Sequence, residues 1–158
     1  MATPDENVST PDDPPAIPRP GRVLAIDPGM KRIGLALSDP TQTIAQPLAT
    51  LSRRAGKRFP LLSLKTHLDE HQPVGIVVGL PIAPDGTEDE RAKSARALGA
   101  MLNTKTELPI AFWDERMTTA RALSAVRDLG GHVRGRKAEV DRLAATVLLQ
   151  AFLDSRNR

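Results

Sequence analysis

Short apolar runs in the first half of the chain predict β-strands. Arg22–Asp27 and Ile33–Ser38 are two such runs separated by a glycine-bearing turn, which predicts an antiparallel hairpin. Thr43–Thr50 is predicted to be a third strand, and Pro47 within it indicates an edge position or a bulge. Gly75–Leu80 is apolar on both faces and rich in β-branched residues, which is typical of a buried strand.

Apolar positions three and four residues apart predict helices in the rest of the chain. Thr87 and Glu90 have the spacing of a capping box, which predicts a helix start. The remaining predicted elements are the helix Phe59–Glu70, the helix from Thr87 to about Leu102, the strand Pro109–Asp114, a helix capped by Thr118 or Thr119 and the helix Glu139–Asp154. This order predicts an α/β fold with a mixed five-stranded sheet. Three antiparallel strands are followed by two parallel ones, and helices pack on the sheet faces.

The length of 158 residues fits one domain, preceded by a tail of different composition. Residues 1–20 contain six prolines and four acidic residues, so we expect a disordered acidic tail before a folded domain at residues 21–158. Cysteine is absent, and no apolar run approaches the roughly 20 residues of a membrane span. We therefore expect a cytoplasmic protein with no membrane partner.

Charge distinguishes the tail from the domain. The net charge is +3, but the first 20 residues contribute −3, so the domain carries +6. A basic domain fits an anionic partner, and nucleic acid is the commonest one. With three Phe, one Trp and no Tyr, the domain is not expected to bind mainly by stacking bases on aromatic rings.

Three separated segments place a carboxylate among apolar or small residues. Asp27 lies in the first predicted strand, and Asp141 lies in the first turn of the last helix. Asp114 and Glu115 end the fifth strand. Each has a simpler interpretation, because Asp-Pro-Gly favours turns, a strand end tolerates surface charge, and a helix dipole favours an acidic first turn.

A shared site is the alternative to three separate explanations. Ala144 and Ala145 are small enough for the last helix to approach the sheet closely, and Gly34 also indicates a close backbone approach. If that helix packs over the first and fifth strands, the three carboxylates meet. Gathered carboxylates repel one another unless a cation joins them. Oxygen ligands without histidine or cysteine indicate Mg²⁺ or Mn²⁺, which support phosphodiester hydrolysis.

His67 and His71 offer a second, weaker metal signal. They are four residues apart on a predicted helix, which suits a pair of metal ligands. No third ligand is evident from the sequence, so surface or boundary positions are the favoured interpretation.

Four ordered segments give the chain a family resemblance. They are AIDPGMKRIGLALSD (Ala25–Asp39), IVVGLPIAPDGTE (Ile76–Glu88), DERMTT (Asp114–Thr119) and VDRLAATVLLQAFL (Val140–Leu153). The chain resembles the YqgF family, bacterial proteins of the RNase H-like fold that are related to the RuvC Holliday-junction resolvases. That family is described as nucleases of pre-16S ribosomal RNA. The match spans about residues 21–154.

The resemblance implies a carboxylate metal site on an RNase H-like fold. Asp27, Glu115 and Asp141 would be the catalytic metal ligands, with Asp114 as the alternative to Glu115. The loop PDGTE would present a helix N-terminus to a phosphate. Six basic residues would contact nucleic acid: Lys31, Arg32, Arg116, Arg134, Arg136 and Lys137. Met30 and Glu139 depart from the family's usual pattern, and both weaken the implied RNA contact more than the implied metal site.

The leading hypothesis is a divalent-metal-dependent endonuclease that processes the 5′ end of pre-16S rRNA in ribosome biogenesis, using Mg²⁺ or Mn²⁺. Its partners would be the precursor RNA and ribosomal precursor particles, and it would act as a monomer or weak dimer. A Holliday-junction resolvase is one alternative, and it would need a symmetric dimer to cut two strands. A non-catalytic RNA-binding assembly factor is another, and its binding would not depend on metal.

Overall fold

The computed structural model describes Val8–Ser9 and residues 17–29, 31–53, 58–118 and 137–157. The strands in these ranges are β1 (Val8–Ser9), β2 (Val23–Pro28), β3 (Arg32–Ser38), β4 (Ala45–Ser52), β5 (Gly75–Leu80) and β6 (Ile110–Asp114). The helices are α1 (Leu61–His71), α2 (Glu90–Thr106) and α3 (Lys137–Arg156), and Glu115–Met117 forms a 3₁₀ turn. None of the helices within these ranges has the length and apolar character that crossing a bilayer requires.

The strands form one mixed sheet in the order β1-β6-β5-β2-β3-β4. The hairpin β2–β3 and the pair β3–β4 are antiparallel, whereas β5 pairs in parallel with both β2 and β6. The predicted α/β architecture of three antiparallel and two parallel strands is therefore confirmed. The structure adds β1, a two-residue strand parallel to β6 that comes from the predicted tail.

The two faces of the sheet carry side chains of different size. Leu24 and Ile26 belong to the core under α1 and α2, while Val23 and Ala25 belong to the core under α3. Because successive strand residues point to opposite faces, Asp27 continues the second set and lies on the α3 face. The smaller residues on that face allow α3 to lie close to the sheet where Asp27 is placed.

Ile17 also belongs to the core on the α3 face. Its side chain is 2% exposed and packs where a side chain at Gly75 would collide with it. Arg156 of α3 donates from Nη2 to the carbonyl of Ile17 at 2.7 Å. Residues just before position 21 therefore contribute to the folded unit, while the extent of the acidic tail stays a prediction.

Pro47 lies where its missing N–H is tolerated. It belongs to β4, the edge strand, and pairs with Ala36 next to a register shift between Leu35 and Ala36. The predicted edge position and the predicted irregularity are both confirmed, because an edge strand leaves one side of its backbone without a ladder partner.

Asp89, rather than Thr87, caps the N-terminus of α2. The Asp89 carboxylate accepts hydrogen bonds from the backbone N–H groups of Arg91 and Ala92 at 3.0 and 3.2 Å. Thr87 instead donates from its hydroxyl to Asp85 at 2.6 Å in the preceding turn. The predicted capping box at Thr87 and Glu90 is thus wrong, since α2 begins two residues after the position that it required.

We expect Asp89→Ala to lower the free energy of unfolding by about 1 kcal/mol, because two N–H groups of α2 lose their acceptor. Urea unfolding followed by circular dichroism measures the change. Thr87→Ala is the matched control and should cost less, since Thr87 lies outside the helix. A larger loss from Thr87→Ala than from Asp89→Ala would contradict the assignment of the cap.

Candidate functional site

Asp27 lies between two glycines on neighbouring strands. In the β2–β3 hairpin it pairs directly with Gly34. On its other side, Ile26 pairs with Val78 of β5, so the next residue along β5, Gly79, lies beside Asp27. Neither neighbour has a side chain, so groups from other elements can approach the sheet on both sides of the partly buried Asp27.

Gly34 provides the space into which α3 fits. A Cβ atom built at Gly34 would lie 2.1 Å from the carbonyl oxygen of Asp141 and 3.3 Å from Cβ of Ala145. The backbone of α3 at Asp141 therefore rests on β3 beside Asp27. The close approach predicted for Gly34 and the close packing predicted from Ala144 and Ala145 are both confirmed, and both alanines are buried.

Gly79 provides the space that the carboxylate of Glu115 occupies. A Cβ atom built at Gly79 would lie 3.0 Å from Oε1 of Glu115 and 2.6 Å from Cδ1 of Leu148. Since β5 lies between β2 and β6 in the sheet, Glu115 reaches from the end of β6 over the neighbouring strand β5. Its carboxylate therefore lies over the β5 residue that neighbours Asp27.

Asp114 has a different position and a different role from Glu115. It is 7% exposed, and it pairs with Leu80, whose side chain belongs to the core under α1 and α2. Its carboxylate accepts from the backbone N–H of Arg116 at 2.9 Å and from Nη2 of Arg116 at 2.8 Å. Asp114 thus builds the turn after β6, and Glu115 is the member of the pair that lies beside Gly79.

Asp141 is held by Arg32. The Nε atom of Arg32 donates to Oδ2 of Asp141 at 2.7 Å, and about a third of each side chain is exposed, 34% and 30%. Arg32 lies two residues before Gly34 on β3, so it shares the face that carries α3. The candidate site therefore contains a fixed cation next to one of its three carboxylates.

The three carboxylates surround Gly34 and Gly79 without forming a tight cluster. In the described ranges, a group of at least three ligand atoms all within 4.8 Å of one another is formed by His67, Glu70 and His71 and not by Asp27, Glu115 and Asp141. Like charges repel at short range, and Arg32 already engages Asp141. The carboxylates lie near one another on one face of the sheet. Their mutual repulsion disfavours a closer approach without a cation.

The position of α3 differs from the prediction. We expected the last helix to pack over the first and fifth predicted strands, which are β2 and β6. It lies mainly across β2, β3 and β4, with a smaller contact to β5. Asp141 consequently lies against Gly34 of β3, the strand partner of Asp27, while Glu115 lies against Gly79 of β5.

The predicted nucleic-acid-contacting residues fall into separate groups. Lys31 is exposed in the hairpin turn, where its carbonyl accepts the N–H of Arg53 at 2.8 Å. Arg116 is paired with Asp114, and its Nη1 lies 3.8 Å from the position of a Cβ built at Gly86. Arg134, Arg136 and the side chain of Lys137 lie outside the described residues.

The polar side chains of the PDGTE loop are hydrogen-bonded within the loop and to α2. Hydrogen bonds from Thr87 lower the pKa of Asp85, and the hydrogen bond from Arg96 lowers the pKa of Glu88. The same bond raises the pKa of the Arg96 guanidinium. Since Asp89 already accepts from the first N–H groups of α2, the predicted use of this helix N-terminus as a phosphate receptor is not supported.

Gly79 is a residue of the candidate site that the sequence analysis did not identify. From the sequence, the segment GIVVGL predicts only a buried strand. Its signal is the glycine itself, because a glycine in a strand interior often marks a close approach of another group. The partner of that approach, Glu115, could not be assigned before the pairing of β5 with β6 was known.

A protein family model described as "RuvX: Holliday junction resolvase" matches residues 21–155, nearly the whole described domain. The chain belongs to the RuvX (YqgF) family. Relatives of this RuvX chain carry the name "Putative pre-16S rRNA nuclease". The relative from Koribacter versatilis (strain Ellin345) is 41% identical over 136 residues, which cover 86% of this chain and 88% of that protein. The relative from Paracoccus denitrificans (strain Pd 1222) is 43% identical over 150 residues, covering 94% and 92%.

Solved structures show that the RuvX chain shares the fold of RuvC. The structure described as T. thermophilus RuvC in complex with Holliday junction substrate superposes with a TM-score of 0.53. It is 19% identical, and the match covers 86% of this chain and 95% of that one. A second structure of Thermus thermophilus RuvC gives a TM-score of 0.51. The RuvC-like, RNase H-like fold implied by the resemblance is thus confirmed.

Proposed function

We propose that this RuvX protein is a divalent-metal-dependent endonuclease that hydrolyses phosphodiester bonds in the precursor of 16S rRNA. Asp27 carries the proposal. It is a strand carboxylate flanked by glycines on both sides, with Asp141 approaching over Gly34 and Glu115 approaching over Gly79. Hydrophobic packing gives no reason to gather three carboxylates around Gly34 and Gly79. A bound cation gives one, because it offsets their mutual repulsion.

The donor set fits a hard divalent cation. Asp27, Glu115 and Asp141 offer only carboxylate oxygens, which suit Mg²⁺ or Mn²⁺ rather than a metal preferring nitrogen or sulfur. Gly79 supports the fit, because a methyl group there would press on the Glu115 carboxylate. When bound, the ion supplies an activated water and stabilises the charge on the leaving oxygen.

The basic residues beside the carboxylates bind the substrate in this proposal. Arg32 holds Asp141 in place through the 2.7 Å ion pair and leaves about a third of its side chain exposed towards solvent. Lys31 is exposed in the adjacent turn, so both cations can contact phosphates that approach Asp27. Arg116 is oriented by Asp114 and presents a third positive charge near the PDGTE loop.

The relatives' name supports RNA as the substrate. Proteins 41 to 43% identical to this chain are named for pre-16S rRNA, and the domain carries a charge of +6 that favours any polyanion. We infer that precursor ribosomal particles in the cytoplasm present the 5′ end of that RNA to the site.

Cleavage of a 16S precursor carrying its 5′ leader tests the proposal. With Mg²⁺ or Mn²⁺ the wild type should cut the RNA, and EDTA should abolish cutting because the carboxylates then lack their cation. Asp141→Asn should lose activity under the same conditions. Asp154→Asn is the matched control, since Asp154 is exposed on the same helix about 20 Å further along. Tight binding of this RNA by the wild type without cutting would favour an assembly factor instead.

A resolvase function is the second candidate, favoured by the description of the matching family model. A four-way DNA junction offered to the same protein preparations separates the two substrates. Symmetric cutting of two strands requires a dimer, which sedimentation of the free protein measures. Cutting of the junction by a dimer, without cutting of the RNA, would replace the proposed substrate while keeping the carboxylate site.

A further inference from the structure

Three metal-ligating side chains converge on α1, outside the carboxylate site. One ring nitrogen each of His67 and His71 and one carboxylate oxygen of Glu70 all lie within 4.8 Å of one another. The Nε2 atom of His71 is 3.9 Å from Oε2 of Glu70. Residues four apart in a helix share a face, so His67 and His71 stand on successive turns, and Glu70 reaches the same point. The third ligand that the sequence did not reveal is therefore present.

One ring nitrogen of His67 is buried without a hydrogen-bond partner among the described residues. This atom is Nδ1. Buried polar atoms are nearly always paired, because leaving one unpaired costs free energy. An imidazole nitrogen can be satisfied by a metal ion as well as by a proton donor.

We propose that His67, Glu70 and His71 bind a divalent transition-metal ion of the Zn²⁺ class, with water completing the coordination. Two imidazoles and one carboxylate are a donor set that suits zinc, nickel and cobalt. In a chain without cysteine, histidine supplies the softest nitrogen ligands available for such an ion. Three protein ligands leave an open position for water.

This site is separate from the proposed nuclease centre in place and in chemistry. Leu64 and Leu68 of α1 pack on the face of the sheet that carries Ile26, whereas Asp27 faces α3 on the other side. The sheet therefore lies between the two sites. Their donors also differ, so Mg²⁺ prefers the carboxylates and Zn²⁺ prefers the histidines.

Binding at this site would stabilise α1. The N-cap residue of α1, Pro60, provides no side-chain hydrogen bond to the helix, so the first turns depend on packing and backbone bonds. A metal shared by His67 and His71 joins two successive turns and binds only the folded form, and such a ligand raises the unfolding temperature.

Calorimetric titration of Zn²⁺ into the full-length protein at neutral pH tests the site, with thermal unfolding as a second measurement. His71→Gln should weaken zinc binding about tenfold or more, since loss of even an outer-shell partner of a metal site costs about 10- to 100-fold. The rise in unfolding temperature with zinc should shrink in parallel. Glu70→Gln changes an exposed side chain and should also weaken binding, so it serves if His71→Gln does not fold.

Two control variants locate the binding. His132→Gln makes the same substitution at the third histidine of the chain and should leave zinc affinity unchanged. Asp141→Asn should likewise leave zinc binding intact while weakening any Mg²⁺ binding. Wild-type affinity in both His71→Gln and Glu70→Gln would overturn the proposal. Loss of zinc binding in Asp141→Asn alone would overturn it as well, because the ion would then belong to the carboxylates.

Discussion

Asp27→Asn is expected to reduce RNA cleavage by about a thousandfold while leaving the fold unchanged. The substitution keeps the size and shape of the side chain but removes its charge, so the proposed cation loses one of three anionic ligands. Metal ions provide several kcal/mol of stabilisation to the developing charge, and about 4 kcal/mol corresponds to this loss in rate. Single-turnover cleavage of the precursor RNA in saturating Mn²⁺ measures the effect.

Asp69→Asn is the matched control for this experiment. Asp69 is exposed on α1, on the opposite face of the sheet from Asp27, so its loss should leave cleavage unchanged. Unfolding in urea should show similar stability for both variants. Asp27→Asn with the activity of wild type would exclude a mechanism built on this carboxylate, whatever the substrate.

Gly34→Ala is expected to lower the free energy of unfolding by about 3 kcal/mol or more, at the upper end of the usual cost of overpacking. The new methyl group would lie 2.1 Å from the carbonyl oxygen and 2.7 Å from the carbonyl carbon of Asp141. Both are backbone atoms of α3, so no rotamer change relieves the collision and the whole helix must move. Total stabilities of about 5–15 kcal/mol make such a loss a large fraction of the whole. Chemical denaturation measures it.

Gly79→Ala provides the contrast, because its nearest obstacles are side-chain ends. The new methyl would meet Cδ1 of Leu148 at 2.6 Å and Oε1 of Glu115 at 3.0 Å, and both can rotate away. We expect a loss of about 1 kcal/mol in stability with a larger loss of cleavage, since the Glu115 carboxylate is displaced.

Equal stability of Gly34→Ala and wild type would contradict the packing of α3 on β3.

Local pattern was enough to predict the longer strands and helices of the described residues, though not the two-residue strand β1. Short apolar runs predict strands, and apolar residues three and four positions apart predict helices. Both patterns depend only on residues close in the sequence. The hairpin around Pro28-Gly29, the edge character conferred by Pro47 and the small residues of α3 all proved to be as predicted. The helix cap failed because Thr87 and Asp89 both suit a helix start, and only the backbone path decides between them.

The chain by itself indicated that Asp27, Asp114 or Glu115, and Asp141 are carboxylates set among apolar or small residues, within a basic mixed α/β domain. It also determined the family, since four ordered segments are enough for that. The tertiary structure alone decided that Gly79 lies beside Asp27, that Glu115 rather than Asp114 lies against Gly79, and that Arg32 holds Asp141. These facts depend on which distant strands pair and where α3 rests. Such long-range contacts arise from the packing of the whole domain and leave no periodic signal in the sequence.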